Sequence, residues 1–553
     1  MKKGKWTGRI SAILIAFSLV FTAACGGGGS DQGKGSEELA EEQVLNVGRI
    51  KSEPPSLDPA TATDQMSSTI LNQLMEGLTR IDAEGNPHPA VAEKWEVSED
   101  GKEITFHLRK DAKWSNGDPV TAHDFEYAWK RVLDPKMKPP ADYAYQLYYL
   151  KNGEKYNQGK AKAEDVGVKA VDDHTLKVEL EQPAPYFVAL TSFYTLFPVN
   201  KKVAEENDKW ATEADTYVGN GPFKLKTWEH DAKIELVKNE HYWGAKDVKL
   251  TQLNFPFIGE AQTGYQQFKS RKLDEGDSII IPPDLTKKGL ESGEIKSQKQ
   301  PAVYFYMFNV EKKPFNNKKI RRAFALAIDR KSIVENVTQG GQVPATGFVP
   351  WGIPDFVAEK DWVETRDDYL PEKAQPEEAK KLLEEGMKEE GFDKLPAVTI
   401  DYNTDEGHKK IAEAIQQMWK KNLGVDVKLR NSEWQVYLDK TKAGDFQVGR
   451  LGWLPDYIDP MTFMDMWVTG GGNNDTRFSH KEYDALIKKA KSTADQKVRM
   501  EAMHKAEDIL MDEMPIAPIY FYTDLYMEQD YVKGVVRNPD KSVYFRDAYI
   551  LEH

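Results

Sequence analysis

The chain has 553 residues but only one cysteine, Cys25. A single thiol excludes an internal disulfide, and it excludes a zinc site built from several thiolates. Cys25 stands close to the N-terminus, behind a positive segment that carries Lys2, Lys3, Lys5 and Arg9. The position of Cys25 behind this segment is therefore the most informative feature of the residue.

An apolar segment, residues 10–21, leads to the small residues 22–24 and then to Cys25. A positive start, a short apolar core and a small-residue cleavage site are typical of a secretory signal peptide. The segment is also shorter than the roughly 18 to 20 residues that a spanning helix needs. The cleavage site resembles a bacterial lipobox, although Thr22 stands where that pattern most often has Leu.

We therefore expect residues 1–24 to be removed and a lipid to be attached to Cys25. The Gly-rich, acidic residues 25–43 would then form a flexible tether that holds the protein on the extracytoplasmic face of the cell membrane. A free structural or pairing cysteine is the alternative. Past Cys25, the sequence shows no apolar run long enough to span a bilayer.

The sequence also lacks the motifs of common hydrolases and nucleotide-binding proteins. It has no Gly-x-Ser-x-Gly and no His-Glu-x-x-His, and residues 470–472 lack the Lys and Ser/Thr of a phosphate loop. The ten histidines are scattered; His230 and His241 share a segment, but the residues between them are typical of a strand, which disfavours a metal pair. We therefore predict no enzymatic activity, no cofactor and no metal.

Negative charge exceeds positive charge, with 89 Asp and Glu against 75 Lys and Arg. Loss of the four cations in residues 1–24 would move the formal net charge from −14 to about −18. Such a surface repels phosphate backbones and anionic lipid heads, so nucleic acid is not an expected partner. The length indicates two or three domains, and the 60 aromatic residues fit either large cores or an aromatic-lined binding surface.

Several local patterns predict secondary structure. Residues 44–47 alternate as a strand, and residues 95–108 and 168–180 are typical of hairpins around the turns at 98–101 and 172–173. Helical spacing of apolar residues occurs at three places, residues 122–132, 320–337 and 376–386.

Residues 397–453 give the clearest pattern, an alternation of strands and helices. Strands are predicted at 398–402, 425–429 and 446–451, with helices at 405–423 and from an N-cap at Ser432 to residue 443. This order is typical of a doubly wound α/β unit, which binds ligands beyond the carboxyl ends of its strands. His408 and residues 452–457 should therefore converge on one crevice.

Nine short segments occur in one order from about residue 45 to the C-terminus: SLDP (56–59), AEKW (92–95), KWSNG (113–117), VTAHDF (120–125), NGPF (220–223), PFN (314–316), NTDEGHKK (403–410), FQVGRLGW (446–453) and PDY (455–457). In sequence and spacing they resemble the peptide-binding proteins of oligopeptide ABC importers, which belong to family 5 of the extracellular solute-binding proteins.

The resemblance implies an α/β fold of two lobes around a deep cleft, with mixed sheets flanked by helices. Lobe one would combine residues 44–75, 200–303 and 523–553; a satellite domain would comprise residues 76–199, and lobe two residues 304–522. In the family, the whole peptide is enclosed between the lobes. Its backbone pairs with protein backbone and its side chains occupy hydrated pockets, which implies little sequence preference.

The resemblance also implies roles for particular residues. Asp456 matches the carboxylate that holds the α-ammonium of the peptide, whereas His408 and Arg450 match groups that reach its C-terminal carboxylate. From the residues alone, Asp456 could belong to an ordinary turn in which Asp459 is equally eligible, and Arg450 could form a structural salt bridge. A third cation of the family falls on Thr441.

Four aromatic residues match further parts of the cleft: Trp434 and Trp453 as pocket walls, and Tyr143 and Tyr522 as other cleft residues. Each could instead be a core residue. Lys440 or Lys442 could replace the cation missing at Thr441, or the preferred peptide length could differ.

The implied partners are short peptides, the permease and ATPase subunits of an ABC importer, and the lipid bilayer through Cys25. The protein is expected to act as a monomer. A binding protein for dipeptides, cell-wall peptides or a pheromone peptide, acting as a sensor on the same fold, remains the alternative.

Overall fold

The computed structural model describes residues 38–82 and 85–553. The predicted signal peptide, Cys25 and most of the predicted tether lie outside the described residues. Within the described part of the chain, no helix combines the length and apolar character needed to cross a bilayer.

The strands are β1 Val44–Gly48, β2 Thr79–Ile81, β3 Pro87–Pro89, β4 Ala92–Val97, β5 Glu103–Leu108, β6 Val168–Asp172, β7 Thr175–Glu179, β8 Phe223–Glu229, β9 Lys233–Lys238, β10 Gln252–Pro256, β11 Glu275–Asp277, β12 Lys296–Phe308, β13 Val343–Pro344, β14 Pro354–Asp355, β15 Lys360–Asp361, β16 Val398–Asn403, β17 Val427–Ser432, β18 Val448–Trp453, β19 Ile516–Glu528, β20 Val532–Lys533, β21 Val536–Arg537, β22 Val543–Tyr544 and β23 Tyr549–Ile550.

The α-helices are α1 Gln65–Leu74, α2 Ala122–Val132, α3 Gly153–Asn157, α4 Phe187–Leu190, α5 Lys201–Glu206, α6 Ala261–Lys269, α7 Thr286–Ser292, α8 Lys318–Leu326, α9 Arg330–Ile333, α10 Pro376–Glu390, α11 Glu406–Leu423, α12 Trp434–Ala443, α13 Met461–Met464, α14 Lys481–Lys491 and α15 Gln496–Glu513.

Eleven of the described strands form one mixed sheet, in the order β17-β16-β18-β12-β19-β11-β1-β10-β9-β8, with β13 paired to β19. The long antiparallel strands β12 and β19 lie in its middle. At one end of β12 the pairs are Lys296↔Tyr526 to Lys299↔Thr523, and at the other they run from Val303↔Phe521 to Met307↔Ile516. The predicted lobe boundaries after residues 303 and 522 fall inside these two strands.

A separate antiparallel sheet, β4-β5-β7-β6, lies within the predicted satellite domain. It contains both predicted hairpins, and Gly101 takes a positive φ of 68° in the turn between β4 and β5. That left-handed conformation is the one that glycine adopts without steric cost. The predicted α/β fold with sheets flanked by helices is confirmed.

The α/β unit of residues 397–453 is also confirmed, because β16 pairs in parallel with both β17 and β18. Its core includes Trp419 of α11, whose ring lies 4.7 Å from that of Phe324 on α8. The Trp419 Nε1 also donates to the Phe324 carbonyl at 2.9 Å. Gly424 ends α11 with a φ of 71°, as a C-terminal glycine should.

The prediction of one helix over residues 320–337 was wrong. Asp329 interrupts it by accepting a hydrogen bond from the Ser332 N–H at 2.7 Å and so starting a new helix, α9. The buried Arg330 guanidinium donates to the carbonyls of Ala325 and Pro518, at 3.2 and 2.6 Å. Side-chain donors therefore satisfy carbonyls that a continuous helix would have paired.

Two boundaries in the α/β unit differ from the prediction. Ser432 is the last residue of β17, paired with Asn403, and its hydroxyl accepts from Lys440 Nζ at 3.1 Å; it is not the N-cap of α12. The third strand runs over Val448–Trp453 instead of residues 446–451, because β12 continues to pair with it as far as Trp453.

Candidate functional site

Two parallel strands bring Asn403 and Arg450 together. Ile400 and Asp401 of β16 pair with Val448 and Gly449 of β18, so both strands end at the same edge of the sheet. The buried Arg450 guanidinium donates from Nη1 to Asn403 Oδ1 at 2.7 Å, while its Nε has no hydrogen-bond partner among the described residues. Arg450 therefore keeps one buried N–H donor without a partner among the described residues.

His408 reaches the same place from the first turn of α11. Asp405 accepts a hydrogen bond from the His408 N–H at 3.0 Å, which fixes the start of this helix. The His408 Nδ1 lies 3.4 Å from the Tyr304 hydroxyl, and the Arg450 guanidinium lies 4.9 Å from the centre of the Tyr304 ring. Tyr304 therefore lies between the two basic side chains, and together they form a crevice at the ends of β16 and β18.

The two basic groups differ in charge. Burial and the neighbouring Arg450 guanidinium lower the pKa of His408 to about 3, against the opposing effect of Asp405. His408 is therefore neutral near pH 7, and Arg450 supplies the positive charge. His408 can still hydrogen-bond a carboxylate or a backbone group.

Tyr522 completes the aromatic wall of this crevice. Its ring centre lies 5.2 Å from that of Tyr520 and 6.2 Å from that of Tyr304. A Cβ atom on Gly452 would lie 2.7 Å from the Tyr522 hydroxyl, which is too close. The absence of a side chain at Gly452 therefore allows Tyr522 to approach β18.

Asp456 lies beyond the end of β18, in a partly buried position against the satellite domain. Its Oδ2 accepts from the Tyr145 hydroxyl at 3.2 Å, and its backbone N–H donates to Thr462 Oγ1 at 3.1 Å. Burial raises the pKa of Asp456 to about 7, the Asp465 charge adds to the rise, and the Tyr145 hydrogen bond opposes it. Among the described residues no ion pair neutralises this carboxylate, so it is suited to a cationic ligand group.

Gln146 follows Tyr145 and is 1% exposed. Its amide lowers the pKa of Asp456, but neither Nε2 nor Oε1 meets the geometry of a hydrogen bond to any described residue. A buried amide without partners is rare in a folded protein. Gln146 therefore places a buried amide beside the Asp456 carboxylate.

Asp459, the alternative to Asp456, has a different role. Both of its carboxylate oxygens lie 2.7 Å from Arg499 Nη2, and both side chains are almost fully buried. Such a pair holds the Asp459 carboxylate in place and leaves it no free face for a ligand.

The other predicted aromatic residues lie around Asp456 and Arg450 at different distances. Trp453 donates from Nε1 to the Thr462 carbonyl at 2.9 Å, so it shares Thr462 with Asp456. The Tyr143 ring lies 5.7 Å from that of Tyr145 and does not itself hydrogen-bond Asp456 in the structure. Trp434 is 44% exposed and stacks at 6.2 Å on Tyr437.

Thr441 is buried, and its hydroxyl donates to the Leu438 carbonyl at 3.0 Å. Of its two basic neighbours, Lys440 donates to Ser432 and Lys442 lines a cavity of about 780 Å³ between the satellite domain and lobe two. Tyr145, Asp465 and Lys491 line the same cavity, with Lys491 Nζ 3.0 Å from Asp465 Oδ2. Lys442 therefore faces this cavity, whereas Lys440 is engaged with Ser432.

Sequence reasoning missed Tyr145, Tyr304, Asn403 and Asp465. Tyr304 lies in a continuous buried run of β12, which is typical of an ordinary core strand. Asn403 stood inside a quoted motif, but only its contact with Arg450 shows its role. Tyr145 lies in the short 3₁₀ helix Asp142–Leu147, whose sequence gives no clear periodicity.

His230, one of the two histidines considered for a metal, contacts Glu53 and lies 3.5 Å from Glu213. Over residues 38–82 and 85–553, no cluster of three or more His, Cys, Asp or Glu side chains has the arrangement of a metal site.

Known proteins resemble this chain over nearly its whole length. It is 45% identical to "Oligopeptide-binding protein OppA" of Bacillus subtilis (strain 168), over 99% of this chain and 100% of that protein. It is 46% identical to "Dipeptide-binding protein DppE" of the same organism, over 96% of each chain.

Solved structures give the same result. The murein tripeptide binding protein MppA of Escherichia coli superposes with a TM-score of 0.83 at 36% identity, covering 93% of this chain and 100% of that chain. A structure of MppA in an unliganded open form gives a TM-score of 0.72 at 36% identity, covering 94% and 99%. This chain is therefore less similar to the open form than to the first structure.

The family model described as "Bacterial extracellular solute-binding proteins, family 5 Middle" matches residues 86–475. With these relatives, the match shows that the chain belongs to family 5 of the bacterial extracellular solute-binding proteins.

Proposed function

We propose that this protein captures short peptides outside the cell and delivers them, without chemical change, to the permease of an ABC importer. The observation that carries the proposal is a pair of opposite charges, Arg450 within β18 and Asp456 just beyond its C-terminal end. Asp456 offers a carboxylate without an ion pair, and Arg450 offers a buried guanidinium with an unused Nε. A peptide with free termini carries the complementary ammonium and carboxylate.

The backbone of β18 supports the same proposal. Along one edge, β12 pairs with β18 over its whole length, but β16 pairs only with Val448 and Gly449 on the other. Arg450–Trp453 therefore presents an edge without a strand partner among the described residues. An extended peptide could add to this edge through its backbone, which gives affinity with little dependence on its side chains.

The geometry also suggests an orientation and a length. With its ammonium at Asp456 and its carboxylate near Arg450, the peptide would run antiparallel to β18. Four strand residues span roughly 14 Å at about 3.4 Å per residue, which suits peptides of about three to five residues.

Calorimetry with unrelated peptides tests the proposed function. Because backbone groups and termini would supply most of the affinity, tri- to pentapeptides of different sequence should bind within about two orders of magnitude of each other, or about 3 kcal/mol. Dipeptides should bind more weakly, since they cannot reach both ends. Binding of only one sequence would instead indicate a dedicated sensor, and the strongest binding by dipeptides would correct the length.

Arg450 is proposed to read the C-terminal carboxylate together with neutral His408. Replacing Arg450 by Met should weaken the best-fitting peptide length at least about tenfold and other lengths less, because only a peptide of the right length brings its carboxylate to this position. Arg430→Met is the control, since it removes the same charge from β17, which β16 separates from β18, where Arg430 pairs with Asp401. Equal losses for all lengths would assign Arg450 to structure alone.

Membrane anchoring through Cys25 is a further proposal. Wild-type protein grown with radioactive palmitate should be labelled and should sediment with membranes. Cys25→Ser should be unlabelled and released into the medium, because the chain would lose its lipid while keeping its fold. Unlabelled wild-type protein that is cleaved at another position would contradict this proposal.

A further inference from the structure

A second cavity, of about 350 Å³, lies between lobe one and the satellite domain. Its wall comes from residues 72–82 and 88, from 192, 197 and 222, and from the C-terminal residues 536–547. None of these residues belongs to lobe two, which carries Asp456, Arg450 and His408. The volume falls in the roughly 300 to 1,000 Å³ range of small-molecule sites. The residues that line this cavity are therefore different from the three charged and basic residues of the proposed peptide crevice.

Buried donors without partners point into this region. Asn72 is 3% exposed, and its Nδ2 has no hydrogen-bond partner among the described residues. The Nη1 of Arg80 is likewise buried and unpartnered, and both residues line the cavity. A third such atom, Asn538 Oδ1, adjoins it, because the Asn538 amide donates to the carbonyl of the lining residue Ile81. Native proteins rarely leave several buried polar groups unpaired in one place.

The other charged groups of the wall are already paired. Arg546 Nη1 lies 2.5 Å from Asp547 Oδ1, and His88 Nε2 lies 2.8 Å from Asp82 Oδ2. The buried Glu76 carboxylate accepts from Tyr242 and Trp243 at 2.6 Å each. The Arg80 guanidinium interacts electrostatically with Glu76 but keeps an unpaired Nη1, and the Asn72 amide is a second unpaired donor. Two N–H donors of this kind suit a carboxylate.

The rest of the cavity is mainly apolar. Met75, Ile81, Phe197, Val536 and Tyr544 contribute to its wall. A strongly hydrated metabolite such as a sugar would leave its hydroxyl groups unpaired against these side chains. An aryl or alkyl group would instead be stabilised by leaving water.

We propose that this cavity is an accessory site for a small organic acid with one carboxylate and an apolar aryl or alkyl body. The carboxylate accepts from Arg80 and Asn72, and the apolar part fills the space between Ile81, Phe197 and Val536. The proposal does not depend on the proposed peptide function, because it rests on residues outside lobe two.

The experiment uses the mature protein and two probes, 3-phenylpropionate and its uncharged amide, 3-phenylpropionamide. Calorimetry should show saturable binding of the acid at one site per chain and at least about tenfold weaker binding of the amide. The titration is repeated with a saturating tripeptide, which should leave the affinity for the acid unchanged. Displacement of the acid by the tripeptide, or equal binding of acid and amide, would overturn the proposal.

Two variants locate the site. Arg80→Met should lower the affinity for the acid at least about tenfold, and Val536→Trp should abolish binding of the acid by filling the cavity. Arg322→Met removes a charge of the same sign from the predicted lobe two and should change the affinity for neither the acid nor the tripeptide. Circular dichroism should confirm that each variant is folded. Wild type that binds no acid, or a folded Val536→Trp that binds as well as wild type, would show that the cavity holds only water.

Discussion

Replacing Asp456 by Asn is expected to weaken binding of a free tripeptide by at least about two orders of magnitude. In the closed crevice, the carboxylate would face the peptide ammonium with little water between them. Removing one member of such a pair leaves the other charge buried and unpaired, which typically costs about 3 to 5 kcal/mol. N-acetylation of the peptide removes the same interaction from the other side and should cause a similar loss.

The two changes together form a double-mutant cycle. Because they delete one interaction, Asp456→Asn should not further weaken the acetylated peptide, and the two free-energy losses should not add. Calorimetry of the four combinations measures this coupling. Simple addition of the losses would contradict a direct contact between Asp456 and the ammonium.

Asp459→Asn is the control for this cycle. It should lower thermal stability, because it breaks the buried pair with Arg499. It should nevertheless show little coupling to acetylation, since both Asp459 oxygens already contact Arg499. Coupling that appears at Asp459 instead would move the ammonium site by three residues.

Local patterns predicted the parts of the fold that depend on nearby residues. The hairpins, α2 and the strand order of the α/β unit followed from periodicity and turn residues within short windows. The pairing of β12 with β19 could not be predicted from such windows, because it joins residues more than two hundred positions apart. The break between α8 and α9 also escaped, since it needs the contact of Arg330 with Pro518.

The candidate functional site was also only partly predictable from nearby residues. Strand order alone brought His408 to the crevice, whereas a role for Asp456 came only from the resemblance. The tyrosine predicted from that resemblance was Tyr143, yet the hydroxyl on the Asp456 carboxylate belongs to Tyr145. Neutral His408 could not be foreseen, because its low pKa arises from burial and from Arg450, far along the chain.

Peptide affinity is also expected to depend on pH through Asp456. Burial raises its pKa to about 7, and a bound ammonium should lower it again. Above pH 7 the carboxylate is ionised in both states and adds no pH dependence. Below pH 7 the empty crevice holds a proton that binding must release, so affinity should fall by up to about tenfold per pH unit.

The expected fall in peptide affinity at alkaline pH has a different origin. The peptide α-amine has a pKa of about 7.7 to 8.0, so the ammonium that Asp456 needs is lost above that range. Affinity should therefore be greatest near pH 7 to 7.5, and it should fall by up to about 100-fold by pH 5. His408 cannot cause the fall in affinity at acid pH, because its pKa of about 3 keeps it neutral over this whole pH range.

Calorimetry across pH 5 to 9 with wild type and Asp456→Asn separates the contributions. The variant should bind weakly but lose the fall below pH 7, whereas wild type with an N-acetylated peptide should lose the fall above pH 8. Other acids also lie near Asp456, since Asp465 and Asp540 both raise its pKa. An acid-side fall that persists in Asp456→Asn would therefore place the titrating group on one of these carboxylates and not on the proposed ammonium anchor.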